Sequence, residues 1–140
     1  MGPPSSGVVG PQGPMSLPAF RQYVLETLIP QTFHLWSVER IRFVAELDHP
    51  FVPDFHVTKT RPDRFGSWTH FVQCAYQDRL RLSEVEQMVD YVRQFPIVRS
   101  GTIFVSSQTT CDEGVRELLD EEGLRVVVTS VLLHPPSTRL

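Results

Sequence analysis

The sequence predicts an α/β domain in which helices flank a mixed sheet, with the elements in the order α-β-β-β-α-β-α-β. Two strand patterns lie around one polar turn between residues 51 and 77, which predicts a hairpin. Farther along, a helix pattern stands between two β-branched segments, and such a crossing helix makes the strands on either side parallel. The 140-residue chain is long enough for one such domain with a substantial core.

The first helix and the first strand follow from their apolar spacing. Ser16 suits an N-cap, and Pro30 is expected to end the helix because proline cannot donate the next backbone hydrogen bond. The apolar stripe of this helix is Leu17, Phe20, Val24 and Leu28. A strand that starts near Trp36 is predicted from the alternation of Ile41, Phe43, Ala45 and Leu47.

The hairpin and the second helix come next. Strands are expected at Phe51 to Thr58 and at Trp68 to Gln77. Ser83 and Glu86 have the spacing of a capping box at the start of a helix that Pro96 closes. The buried face of this helix is predicted to contain Val85, Met88, Val89 and Val92.

The remaining elements form a strand, a helix and a strand. The apolar run from Thr102 to Val105 predicts a strand buried on both faces. Thr110 and Glu113 have the spacing of a second capping box, and Gly123 suits the C-terminal cap of that helix. The β-branched segment from Arg125 to Leu133 predicts the last strand.

The two ends of the chain have a different composition from the centre. Residues 1–15 are rich in Pro, Gly and Ser, which predicts a disordered tail; residues 16–134 are expected to form the domain, and residues 135–140 a flexible C-terminus. The tail contains no Arg or Lys, so it fits neither a transit peptide nor a secretory signal, and the expected location is cytoplasmic or nuclear. No membrane association is expected.

Charge and cysteine content limit the classes of function. A formal net charge of -3 argues against a protein that coats nucleic acid by bulk electrostatics, although a local basic patch remains compatible with it. Cys74 and Cys111 lack the paired spacing of a zinc site, so both are expected to be reduced and structural.

A candidate site lies on the predicted hairpin. Asp54 is on its first strand, and Gln73 stands two residues before Ala75 on its second. Metal-dependent phosphodiester hydrolysis can use an acid on one strand, then an acid or amide and a lysine two residues apart on the next, because alternation places them on one face. Ala75 carries neither charge nor a hydrogen-bond donor, so such a site lacks its lysine.

The chain resembles the Mrr-like branch of the restriction-endonuclease fold, also called the PD-(D/E)XK superfamily, from about Leu17 to Val128. The resemblance is carried by Pro53-Asp54, by FVQCA at residues 71–75 where that family usually has VQCK, by the SEVEQMVDYV helix, and by the segments TIFVSSQTT and DEGVRELLDEEGLRVVV. It implies that Asp54 and Gln73 occupy metal-ligand positions and that Glu26 is a possible third acid. Lys59, the single lysine of the chain, is the candidate for a displaced catalytic lysine.

The chain also resembles the catalytic domain of tRNA-splicing endonuclease subunits, over PDFHVTKTRPDRFGSWTHFVQC and IVRSGTIFV. That family cleaves RNA without metal through a Tyr, a His and a Lys. The corresponding positions here are Thr58, Gly66 and Ser100, so all three reactive groups are absent.

Each candidate has a simpler interpretation. Asp54 can serve as a hydrogen-bond acceptor at a strand start, Gln73 as a satisfied core amide and Glu26 as a solvated helix residue. His49, Asp54 and His56 do not have the spacing of a common zinc site. A candidate basic and aromatic rim for nucleic acid or a protein partner consists of Arg61, Arg64, Phe65, Trp68, Arg79 and Arg81, although the interleaved acids favour an ordinary charged surface for the arginines.

Three hypotheses of function follow. In the first, the protein is a catalytically degenerate nuclease-fold subunit that binds a protein partner in a larger complex, in the setting of nucleic-acid processing; it needs no cofactor. In the second, it is an active nuclease that uses Mg²⁺ and the displaced Lys59. In the third, it is a plain interaction domain. We expect the lysine position to be an open cleft, so that replacement of Ala75 by lysine is tolerated with little change in melting temperature.

Overall fold

The computed structural model describes residues 13–33, 38–43, 49–60 and 67–133, with backbone alone for 38–43, 59, 60, 67 and 68. The helices are α1 (Leu17–Tyr23), a π-helical turn (Val24–Leu28), α2 (Ile29–Thr32), α3 (Leu82–Gln94) and α4 (Val115–Glu122). The strands are β1 (Val38–Phe43), β2 (Phe55–Thr60), β3 (Ser67–Ala75), β4 (Arg79–Leu80), β5 (Val98–Val105), β6 (Thr110–Cys111) and β7 (Arg125–Val128).

The main sheet has five strands in the order β1-β2-β3-β5-β7. The pairs β1–β2 and β2–β3 are antiparallel, whereas β3–β5 and β5–β7 are parallel, with α3 and α4 as the crossing helices. The predicted mixed α/β sheet, its element order and the parallel pair around the last helix are therefore confirmed. Strands β4 and β6 form a separate parallel pair of two residues each, which is too short to leave a sequence pattern.

The two faces of the sheet belong to two apolar clusters. On β3, Phe71 and Ala75 belong to the cluster beneath α3 and α4, whereas Val72 and Cys74 belong to the cluster beneath the first helical segment. This alternation is the one that period-two spacing predicts for a strand covered on both faces. The first cluster is also tightly packed around Gly101, where an added Cβ would lie 2.1 Å from the Phe71 ring.

The first helical segment is longer than the sequence predicts. Ser16 caps it as predicted, since its Oγ accepts the Ala19 N–H at 3.2 Å. The prediction that Pro30 ends the helix was wrong, because helical structure continues to Thr32. A π-helical turn immediately precedes Ile29 and Pro30, so the proline lies in the first turn of α2, where its missing N–H costs no intrahelical hydrogen bond.

Both predicted capping boxes were wrong in position. The N-cap of α3 is Arg81, whose backbone N–H donates to Glu84 Oε1 at 2.9 Å, so the box begins two residues earlier. Thr110 belongs to β6, and α4 follows Gly114, whose φ of 87° is in the left-handed region that glycine tolerates. The predicted C-cap at Gly123 is confirmed, with a φ of 72°.

Two predicted strand ends also differ from those in the structure. β2 begins at Phe55 and not at Phe51, and β7 ends at Val128 and not at Leu133. The segment after β7 continues alongside the segment after β5, since the Thr129 N–H donates to the Val105 carbonyl and the Ser107 N–H to the Val131 carbonyl. Residues 1–12 of the predicted tail, residues 134–140 and parts of the first strand lie outside the described residues, so those predictions stay predictions. No described helix combines the length and the apolar character needed to cross a bilayer.

Candidate functional site

Asp54 and Gln73 face each other where the β2–β3 ladder ends. The register pairs Phe55 with Val72, so the next pair of residues beyond the ladder is Asp54 and Gln73. The Asp54 N–H donates to Gln73 Oε1 at 3.2 Å, which confirms that the two residues are within side-chain reach of each other. Their role as metal ligands stays a prediction.

Both carboxylate oxygens of Asp54 have partners. Oδ2 accepts the backbone N–H of Cys74 at 2.8 Å, and Oδ1 forms an ion pair with Nε of Arg21 at 2.8 Å. The Asp54 side chain is 11% exposed and that of Arg21 is 44% exposed. The carboxylate is thus largely buried, and the guanidinium of Arg21 compensates its negative charge.

Arg21 is a residue of the candidate site that the sequence did not point to. It follows Phe20 on α1 and lies far from Asp54 in sequence, and an arginine on an amphipathic helix normally indicates a solvated face. Its guanidinium lies beside the carboxylate that the resemblance assigns to a metal ion. A divalent cation that binds Asp54 must therefore displace Arg21 or share the carboxylate with it.

The two side chains also continue the strand ladder. Beyond Phe55, β2 no longer provides backbone partners for β3, and a buried N–H without an acceptor is costly. Asp54 supplies an acceptor for the Cys74 N–H, and Gln73 supplies one for the Asp54 N–H. The arrangement satisfies backbone donors whether or not it binds a ligand.

Ala75 does not lie in an open cleft. Its residue is 4% exposed, and it belongs to the apolar cluster that contains Leu80, Val85 and Val105. The expectation that lysine is tolerated at this position is therefore reversed: a lysine ammonium placed among these groups has no described carboxylate partner within the cluster.

Cys74 is not a nucleophile in this environment. The residue is 5% exposed, and burial, together with the negative charge of Asp54, raises the pKa of its thiol far above the usual range. Both Cys74 and Cys111 are free cysteines, as the sequence predicts.

Glu26 does not join Asp54. It lies on the exposed side of the π-helical turn, and its carboxylate accepts a hydrogen bond from Nε2 of Gln22, which is one helical turn earlier. Its assignment as a third acid therefore has no contact in this structure to support it.

The histidines are also directed elsewhere. His49 Nε2 lies 2.7 Å from Asp90 Oδ2, and its Nδ1 accepts the Phe51 N–H at 2.9 Å. His56 Nε2 lies 2.8 Å from the Tyr91 hydroxyl, and burial raises the pKa of Tyr91 to about 12. Over the described ranges, no three His, Cys, Asp or Glu side chains form a group suited to a metal ion.

The predicted rim is described in part. Arg79 pairs with Asp112 at 3.0 Å, so its charge is compensated, and Arg81 is exposed at the N-cap of α3. Arg61, Arg64 and Phe65, and the side chains of Lys59 and Trp68, lie outside the described residues. Their predicted roles stay predictions.

The positions taken from the splicing-endonuclease comparison have structural roles where they are described. Thr58 is buried, and its Oγ1 lies 3.4 Å from Thr69 Oγ1. Ser100 Oγ donates to the Gly123 carbonyl at 2.7 Å. Gly66 is outside the described residues.

Comparison with solved structures identifies the fold. The structure is similar to the crystal structure of a repair endonuclease from Pyrococcus abyssi, with a TM-score of 0.55 and 18% sequence identity. The match covers 86% of this chain and 48% of that chain, so this chain spans about half the length of the endonuclease. The protein has a restriction-endonuclease-like fold, which confirms the predicted fold class.

A second solved structure, of a protein of unknown function, has a TM-score of 0.47 and 15% identity and covers 84% of this chain and 60% of that one. No protein-family model matches the sequence. No curated protein matches it either.

The Arg21–Asp54 ion pair is expected to contribute measurably to stability. In a double-mutant cycle of Arg21→Met and Asp54→Asn, we expect a coupling free energy of about 1–2 kcal/mol from urea unfolding, because Asp54 is largely buried. The matched control is the more exposed pair Arg93 and Glu122, for which we expect less than about 1 kcal/mol. Equal coupling in the two cycles would show that the Asp54 carboxylate is as well solvated as an ordinary surface group.

Ala75→Lys is expected to destabilise the protein by several kcal/mol, roughly enough to unfold a domain of ordinary stability, because the ammonium enters an apolar cluster. The control is the same substitution at Ala19, which is exposed on α1 and should change the unfolding free energy by less than about 0.5 kcal/mol. Thermal and urea unfolding measure both variants. Similar stability of the two would show that the lysine position is an open cleft after all.

Proposed function

We propose that this protein is a catalytically degenerate nuclease-fold protein that acts as a non-catalytic binding or scaffold subunit of a larger complex in nucleic-acid processing. The observation that carries the proposal is the ion pair between Arg21 and Asp54. It supports the view that the Arg21 guanidinium occupies the position in which a catalytic nuclease of this fold binds its metal ion. The repair activity of the similar endonuclease belongs to that protein and enters here only as the setting of the proposal.

Hydrolysis of a phosphodiester at such a site has requirements that these side chains do not meet. A metal ion must bind the acid, orient the water and stabilise the charge that develops at phosphorus. Asp54 is already engaged at both oxygens, and Gln73 accepts the Asp54 N–H. Ala75 supplies no ammonium group to position water, so each of the three contributions is weakened or missing.

The active-nuclease hypothesis now requires two changes. Arg21 has to leave Asp54 or share its carboxylate with a divalent ion, and Lys59 has to supply the missing ammonium group. Removing Arg21 from a largely buried carboxylate has a free-energy cost that only the metal ion can offset. The degenerate subunit needs neither change, and for this reason we prefer it.

We expect the purified chain to cleave neither DNA nor RNA with Mg²⁺ or Mn²⁺ above the rate of a buffer control. The assay uses single-stranded and double-stranded substrates of each kind, with wild type, Asp54→Ala and Lys59→Ala in parallel. Because positioning and charge stabilisation supply most of the acceleration in such sites, their loss leaves no useful rate. Metal-dependent cleavage that both variants abolish would overturn the proposal and establish the active nuclease with a displaced lysine.

The subunit role and the plain interaction domain differ in their partners. Affinity purification of the tagged chain, followed by mass spectrometry and reciprocal tagging of the protein recovered, separates them. The subunit role predicts a stoichiometric partner that acts on nucleic acid. A stoichiometric partner with no such activity would contradict it and favour the plain interaction domain.

A further inference from the structure

A groove of about 260 Å³ separates the outer faces of α3 and α4. It is lined by Glu86, Val89, Asp90, Arg93 and Leu118. The inner faces of the same helices cover one apolar cluster of the sheet, so the groove lies on the solvent side of that layer. Its volume is below the range of about 300–1,000 Å³ that small-molecule pockets occupy.

The floor of the groove is apolar. Val89 is 6% exposed, and the half-buried Leu118 packs against the cluster beneath it. A partner side chain that enters between the helices therefore meets hydrocarbon. Burial of such an anchor is favourable by about 25 cal/mol for each Å² of apolar surface removed from water.

The walls of the groove contain two acids, Glu86 and Asp90, and one base, Arg93. Glu86 is exposed, and Asp90 Oδ2 is bound by His49 Nε2 at 2.7 Å and by Gln94 Nε2 at 3.2 Å. Arg93, the basic residue of the lining, donates to Glu122 Oε2 at 2.7 Å, so its charge is compensated across the two helices. Because Glu86 is exposed and the Asp90 side chain remains 56% exposed beside His49, both acids face an incoming group.

The surrounding helices extend this negative field. Together α3 and α4 contain seven carboxylates and two arginines, a formal charge of -5 against -3 for the whole chain. A nucleic-acid backbone is repelled by such a surface, whereas a basic protein segment is attracted to it. The complementary occupant combines basic residues with an apolar anchor.

We propose that the groove between α3 and α4 docks a basic, amphipathic segment of a protein partner, with an apolar side chain on Val89 and Leu118 and lysine or arginine groups at Glu86 and Asp90. This inference rests on the proposed function, since it identifies the partner-binding surface of the non-catalytic subunit. Recognition of this kind follows the helix-in-groove mode, in which the apolar anchor supplies affinity and the charges supply orientation.

The test uses the full chain and two short helical peptides, one of leucine and lysine and one of the same pattern with glutamate in place of lysine. Fluorescence anisotropy measures affinity, and amide NMR shifts locate the contact. We expect the lysine peptide to bind, with shifts at Val89, Asp90 and Leu118, and the glutamate peptide not to bind. Absence of binding by the lysine peptide, or shifts centred on another surface, would overturn the proposal.

Two variants with the same change in charge separate docking from general electrostatic attraction. Glu86→Arg alters the groove, whereas Glu117→Arg alters an exposed position of α4 outside its lining. We expect Glu86→Arg to weaken binding by about tenfold or more and Glu117→Arg by about twofold or less, with unchanged melting temperatures. Equal weakening in the two variants would overturn the proposal.

The oligomeric state of the free chain provides the remaining outcome. Light scattering should show a monomer, and a dimer that Glu86→Arg dissociates would assign the groove to a second copy of the chain and overturn the partner proposal. Failure of the docking proposal leaves the nuclease assay unaffected, because that assay reads Asp54. The two proposals can therefore fail separately.

Discussion

The carboxylate of Asp54 joins the first helix to the central strand of the sheet. One oxygen pairs with Arg21 of α1, and the other accepts the N–H of Cys74 on β3 at the point where β2 no longer supplies backbone partners. Gln73 completes the arrangement by accepting the Asp54 N–H. A residue that can bind a metal ion in a nuclease thus satisfies a backbone donor and a neighbouring guanidinium in this protein.

This use of Asp54 connects the fold to the proposed function. The hairpin register of the sheet places an acid, Asp54, and an amide, Gln73, next to each other on adjacent strands. Metal-dependent phosphodiester hydrolysis at such a site requires in addition a carboxylate that a metal ion can reach and an ammonium group beside the attacking water. Here the carboxylate has an internal cation as a partner, and Ala75 is part of the packed core. Under the proposed function, these groups stabilise the fold and do not catalyse hydrolysis.

The sequence predicts those features that depend on local patterns. The alternation from Phe71 to Cys74 was sufficient to predict which residues lie on each face of β3. Gly123 indicated the end of α4 because glycine tolerates the positive φ that such a C-terminal cap requires. The prediction that Pro30 ends the first helix was wrong because the π-helical turn before it depends on geometry that no single residue type encodes. The long-range features were the least predictable: the partner of Asp54 lies on another element, and the burial of Ala75 depends on how α3 packs over β3. Spacing along the chain carries no information about either.

Metal binding at Asp54 tests this account most directly. Mn²⁺ broadens the NMR signals of nearby amides, so a titration into the ¹⁵N-labelled chain reports on the amides of Asp54, Gln73 and Cys74 without reference to any substrate. Wild type should show no selective broadening of these three amides at Mn²⁺ concentrations that saturate typical catalytic sites, because Arg21 already compensates the carboxylate. Selective broadening centred on Asp54, and lost in Asp54→Asn, would show that a metal ion binds this carboxylate and would contradict the view that the ion pair with Arg21 excludes it.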